Sequence, residues 1–351
     1  MTWRGTPWFG ALATILAGAL FLASLDVGPI GPLALVAPIP LLVYALSAPR
    51  AWSVALAAAV ARAIGASSLA FAYPAMPHAD LATWIGSQAL VFAAVVVLTR
   101  RVARVAPPWT GVLSYPLLLT SSEFLFGFVP PHGSFGAMGY SLVDVLPLLQ
   151  VASLGGVAAL SFCVALLPMT IALWLVIPGN WRAVAVAGAA PLLVAIVFGA
   201  VRLTQTYEAR SCVALMAIDA FEARAYAGDK EALGVAQAYA DQVRALAAQE
   251  PSIVVLPEKQ FGGAREAGAS AAILAAAGVA IKAPIVAGLD AILPEGQRVN
   301  SAQLVVPNKA TLRYLKRRLL PGLKVGYTRM SRRTASSCTA HFAISEGSIE
   351  R

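Results

Sequence analysis

Seven apolar stretches between Trp8 and Val201 constrain this chain more than anything else in it. Residues 8–25, 29–47, 51–73, 82–99, 111–127, 151–177 and 183–201 hold only two charged side chains between them, Arg62 and Glu123. A helix needs about 20 apolar residues to cross a hydrocarbon core ~30 Å thick, and helices satisfy their own backbone polar groups in lipid. The spacing therefore predicts a helical membrane domain of about seven spans over residues 1–203. Composition agrees: 59% of the residues are hydrophobic and 12% charged, against about 25% charged in soluble proteins. A second apolar stretch follows the first almost at once, so the N-terminus reads as an anchor rather than a cleavable signal. The Gly, Ala and Ser content of the stretches suits close helix packing.

Charge between the stretches gives an orientation. Arg4, Arg50, Arg100, Arg101, Arg104 and Arg182 lie at the N-terminus and after stretches two, four and six, while the alternate loops carry Asp26, Asp80 and Asp144 and no Lys or Arg. The positive-inside rule then places the N-terminus in the cytoplasm and, after an odd number of spans, everything beyond residue 202 outside. Arg202 is a mild exception. The connector from Phe128 to Leu149 would lie on the outer side; it is rich in Gly, Pro and aromatic residues, with Glu123 and His132 as its polar contributors.

The 26 basic residues outnumber the 17 acidic ones by the nine that fall between Lys309 and Arg333, where there is no Asp or Glu. Such a local cluster suits anionic lipid or an anionic substrate, or is simply a solvated loop and tail. No recognition motif accompanies it, which argues against nucleic-acid binding. Cys163, Cys212 and Cys338 form neither a disulfide framework nor a metal-binding spacing, and no metal or cofactor is expected. Cys163 and Cys212 read as small buried hydrophobes; Cys338 lies in a polar setting.

From Tyr207 the composition becomes that of a soluble α/β domain, taken over residues 204–328. Strands are expected at 212–218, 253–256, 284–289, 301–306 and up to 315, with helices at 230–248 and 265–277. The apolar run Ile253-Val254-Val255-Leu256 ends at Pro257 and delivers Glu258 at the end of a buried strand. Lys316 likewise follows a strand. If the two converge in a cleft, they can serve as general base and as cationic stabiliser of an oxyanion; taken singly, each is more often a surface charge.

Leu256-Pro257-Glu258, Asn300-Ser301-Ala302 and Tyr314-Leu315-Lys316-Arg317-Arg318-Leu319-Leu320-Pro321 together resemble the carbon–nitrogen hydrolase (nitrilase) superfamily. With a bundle of spans before them, and with Pro130-Pro131-His132-Gly133, Tyr140, Asp144, Leu148-Leu149-Gln150 and Gly155-Gly156 in the connector, the chain is similar to the apolipoprotein N-acyltransferases over most of residues 1–328. The resemblance implies a nitrilase-like α/β sandwich and a Glu–Lys–Cys mechanism, with Glu258 as base, Lys316 as stabiliser and a Cys nucleophile. It also implies a phospholipid acyl donor, a lipoprotein or other amine acceptor, and a place in a bacterial inner membrane with the α/β domain facing the periplasm.

The pattern departs from the family at Pro321-Gly322-Leu323-Lys324, where a Lys replaces an expected acidic residue, and stops after Tyr327-Thr328. Residues 329–351 form a basic, Ser/Thr-rich tail in which Cys338, the available nucleophile, follows no apolar strand. The sandwich is therefore expected to be incomplete, with the tail a frameshift product. A catalytically inactive protein whose remnant domain binds lipid or a partner remains the alternative. Transport is a weaker reading, because the stretches lack polar pairs beyond Arg62 and Glu123.

Overall fold

In the computed structural model the described residues are 3–25, 30–74, 76–128, 133–205, 211–218, 229–258, 267–292, 298–307, 309 and 311–316. The chain divides into two units, Met1–Thr206 and Tyr207–Arg351.

The first unit is helical: α1 (Pro7–Ser24), α2 (Ile39–Ser47), α3 (Ala51–Ala66), α4 (Ser68–Ala72), α5 (His78–Val105), α6 (Pro108–Phe126), α7 (Leu146–Leu149), α8 (Ala152–Val176) and α9 (Trp181–Leu203). Among the described residues, five segments are long and apolar enough to cross a membrane: α1, α3 with α4, α5, α8 and α9. The two other expected spans differ for visible reasons. Residues 29–47 divide into a 3-10 turn, Gly31–Leu35, and the nine-residue α2. Pro32, Pro38 and Pro40 withhold the N–H groups that one continuous helix would need, and α2 alone is only about 14 Å long. Helix α6 has 19 residues, but Thr110, Ser114, Thr120, Ser121, Ser122 and Glu123 dilute its apolar character. The arginines expected in a loop after residue 99 ride instead on the last turns of α5.

Neighbouring helices pack α1 on α3, α3 on α5, α5 on α6, α6 on α8 and α8 on α9. Small residues allow the approach: a Cβ on Gly65 of α3 would stand 2.5 Å from the Cβ of Phe21 on α1. Helix α8 is broken near its start, where Gly156 adopts φ 61 and ψ −152, a region essentially reserved for glycine.

Arginines gather at one end of this unit. Arg4 donates to the carbonyl of Leu175, in the last turn of α8. Arg100 donates to Ala48 O at 2.9 Å, and Arg104 to Ala48 O at 2.7 Å and Leu46 O at 3.1 Å. Gly5 abuts Ser47, so the start of α1 and the ends of α2, α5 and α8 share that end. Guanidinium groups there satisfy the orphan carbonyls that helix C-termini leave.

Among its described residues the second unit holds α10 (Asp229–Ala245), α11 (Ala267–Ile281) and five strands: β1 (Val213–Leu215), β2 (Ile253–Val255), β3 (Ile285–Ile292), β4 (Arg298–Val305) and β5 (Leu312–Leu315). The sheet order is β1-β2-β3-β4-β5; β1, β2 and β3 are parallel, and β4 and β5 continue antiparallel. The parallel pairs require crossovers, which α10 and α11 supply. Val235, Tyr239 and Val243 of α10 and Leu274 and Ile281 of α11 bury one sheet face through Val254, Ile285, Ala287, Leu289, Val299 and Val305. Alternate strand residues point the other way. There Val213, Leu215 and Tyr314 are exposed, Leu215 by 80%. The described architecture is thus a small mixed sheet with helices on one face. Strand β1 is shorter than expected and Cys212, just before it, is exposed rather than buried.

Candidate functional site

Four adjacent strands of the second unit contribute to one cleft on the open face of the sheet. Strand β2 runs into the sheet, where Leu256 N donates to Val286 O at 2.8 Å, and Pro257 then turns the chain so that Glu258 stands at its C-terminal end. Strand β5 ends at Leu315, and Lys316 prolongs the ladder by donating its N–H to Asn300 O at 2.8 Å. Gly288 of β3 pairs with Ala302 of β4, and these two small residues leave the space between the strand ends unfilled. The result is a cavity of about 520 Å³ lined by Leu256, Glu258, Gly288, Asn300, Tyr314 and Lys316.

Lys316 Nζ donates to Glu258 Oε1 at 2.9 Å, joining residues 58 positions apart. Asn300 Nδ2 donates to the same oxygen. Asn300 therefore touches both partners, Glu258 through its side chain and Lys316 through its backbone. It belongs to the site although sequence reasoning gave it no role beyond membership of a motif. The signal was an amide at a position where an apolar residue would suit the strand. The ion pair is half open to solvent, at 31% for Lys316 and 49% for Glu258, so its contribution to stability is at most about 1 kcal/mol.

Chemically, Glu258 Oε1 is a proton acceptor held in place by two donors, and the Lys316 ammonium can also meet an oxyanion formed beside it. Cys338 and His132 lie outside the described residues. Of the other two cysteines, Cys163 is buried in α8. Among the described residues no three His, Cys, Asp or Glu side chains stand close enough to hold a metal ion.

A second polar cluster lies inside the membrane unit. Arg62, 2% exposed, donates to Gln88 Oε1 at 3.1 Å and Gly136 O at 3.4 Å. Glu123 Oε1 accepts the Met138 N–H at 2.9 Å, and Ser161 Oγ accepts that of Gly139 at 3.2 Å. The two charged residues of the spans thus both hold the backbone of the connector.

Residues 17–170 match the family model for the apolipoprotein N-acyltransferase N-terminal domain. The matched region runs from α1 to α8 and contains Arg62, Gln88, Glu123 and the connector, so this part of the chain is N-acyltransferase-like and membrane-embedded. Glu258, Asn300 and Lys316 lie beyond the match. No curated protein matches the chain.

Proposed function

We propose that the chain is an apolipoprotein N-acyltransferase-like enzyme, in which Glu258 and Lys316 of a partial nitrilase-type second domain (residues 204–328) act with Cys338 of the tail in Glu–Lys–Cys acyl transfer at the outer face of a bacterial inner membrane. The observation that carries this reading is the 2.9 Å approach of Lys316 to Glu258 in an open cleft, on a chain whose N-terminal part matches the N-acyltransferase domain. The membrane would hold the phospholipid donor, and a lipoprotein or other amine would accept.

In the proposed reaction Glu258 takes the proton of a cysteine thiol, Cys338 in this chain. The thiolate attacks the phospholipid ester carbonyl, and the resulting oxyanion lies against the Lys316 ammonium. As the C–O bond breaks, Glu258 returns the proton to the departing lysophospholipid oxygen and a thioester remains. The acceptor amine then attacks the thioester; its proton passes by way of Glu258 to the sulfur, which leaves as thiol. Asn300 keeps the carboxylate aimed throughout.

The arginine-rich end supports the topology. Helix α1 begins there, α2 returns to it, and α5 and α8 end there. If α2 and α6 complete the returns, seven crossings keep those arginines cytoplasmic and put the second unit outside.

Incubating the full-length protein with a labelled-acyl phospholipid tests the reading. A thioester that hydroxylamine releases, lost in Cys338→Ala and reduced by about 10²-fold or more in Glu258→Gln, is expected; equal labelling of wild type and both variants would exclude it. The second reading, a non-catalytic remnant domain that binds lipid or a partner, is favoured by the apolar sheet face that no described element covers, and it predicts no thioester at all.

A further inference from the structure

A groove of about 360 Å³ runs between α1 and α3, with Tyr44 of α2 as its floor. The two helices run parallel: Gly18 abuts Ile64 and, further along, Phe21 abuts Gly65. The groove begins beside Pro7 and Trp52 and reaches Ile15 and Val60, about 12 Å at the helical rise and most of one leaflet of a ~30 Å core. Its length is carbon, with Ile15 and Leu56 exposed along it. Its start is polar: the Tyr44 hydroxyl donates to Ser53 Oγ at 3.0 Å, which donates to Arg50 O at 2.9 Å. Arg50 belongs to the arginine end, since Arg100 donates to the adjacent Pro49 O at 3.1 Å. Arg4, Arg100 and Arg104 are spent on helix carbonyls, whereas the exposed Arg50 guanidinium meets no acceptor among the described residues. The segments at this end, 1–8, 48–52, 100–109 and 177–182, contain no Asp or Glu. Trp8, Trp52, Trp109 and Trp181 within them are exposed, as aromatic residues at headgroup level are.

We propose that this groove binds one phospholipid of net negative headgroup charge, with its phosphate against Arg50 and one acyl chain laid between α1 and α3. Charge complementarity selects the occupant. A zwitterionic lipid brings its own cation to an end that already holds only guanidinium groups, whereas an anionic one neutralises it. The polar start and the apolar length match the two parts of such a lipid. The site lies wholly within the first unit and does not depend on chemistry at Glu258 or Lys316.

The test places the full-length chain in phosphatidylcholine nanodiscs that hold a minor fraction of lipid brominated along its chains. Bromine quenches tryptophan at contact, and the contribution of Trp52 is read as the difference from Trp52→Phe. Brominated phosphatidylglycerol should quench it at about a fivefold lower mole fraction than brominated phosphatidylcholine, the effect of one basic residue beside an anionic lipid. Arg50→Gln should erase the preference. Arg101→Gln, the same charge change at the same end but on α5, should keep it. Ala11→Phe, which fills the groove from α1, should diminish quenching by both lipids. Equal quenching in the wild type, a preference that survives Arg50→Gln, or equal loss in both arginine variants would overturn the proposal. So would an absence of quenching by either lipid in discs that hold two chains by mass, which would give the groove to a second copy.

Discussion

Asn300 links the two charged members of the candidate site, and its removal should separate positioning from chemistry. Asn300→Ala leaves both Glu258 and Lys316 in place but lets the carboxylate rotate; acyl transfer should fall by up to about 10²-fold through kcat, the scale at which small misplacements act, with little change in thermal stability. A loss of folded protein in place of a loss of kcat would make Asn300 a structural residue only. Tyr239 offers the converse case. Its ring is buried against the sheet and its hydroxyl oxygen accepts the Ile218 N–H at 3.1 Å. Tyr239→Phe leaves that N–H without its acceptor, at a cost of about 1–3 kcal/mol, and hydrogen exchange at Ile218 should accelerate while exchange in β4 is the control.

Among elements, the helices and strands that a sequence reader finds most easily are those whose pattern is long and unbroken. Helix α10 and strands β2, β3 and β4 stand within a few residues of expectation, because each is a clear apolar or amphipathic run ended by turn residues. Helix α5 outgrew its expected span because Arg100, Arg101 and Arg104 look like loop residues by charge, yet Arg100 and Arg104 bond to the end of α2. Residues 29–47 show the opposite failure: hydropathy is blind to what three prolines do to a hydrogen-bond ladder. Glu258 and Lys316 drew notice in the sequence because each closes a strand, whereas Asn300 did not, since its contact with both depends on the register that sets it between them. Gly156 provides a test at this scale. Gly156→Ala forces a Cβ into φ 61 and ψ −152, strain of about 1–3 kcal/mol, and should lower the melting temperature of the detergent-solubilised chain. An unchanged melting temperature would mean that α8 can straighten there.

For the whole molecule, side and orientation can be read with a native reporter. In Cys338→Ala, Cys212 is exposed and Cys163 buried; a membrane-impermeant maleimide should label Cys212 in intact spheroplasts, and cysteine placed at Arg50 should react only after lysis. Labelling of both from outside would refute the seven-crossing topology. Residues that announce orientation in the sequence are also fasteners in the fold: Arg4, Arg100 and Arg104 hold the ends of α8 and α2 as well as carrying charge. Insertion in the reverse sense would carry these guanidinium groups to the other side together with the carbonyls they hold, so the contacts at the ends of α2 and α8 would survive it. An orientation error would therefore leave the packing intact, and an inverted copy would be told from a correct one by which side labels Cys212 and a cysteine at Arg50.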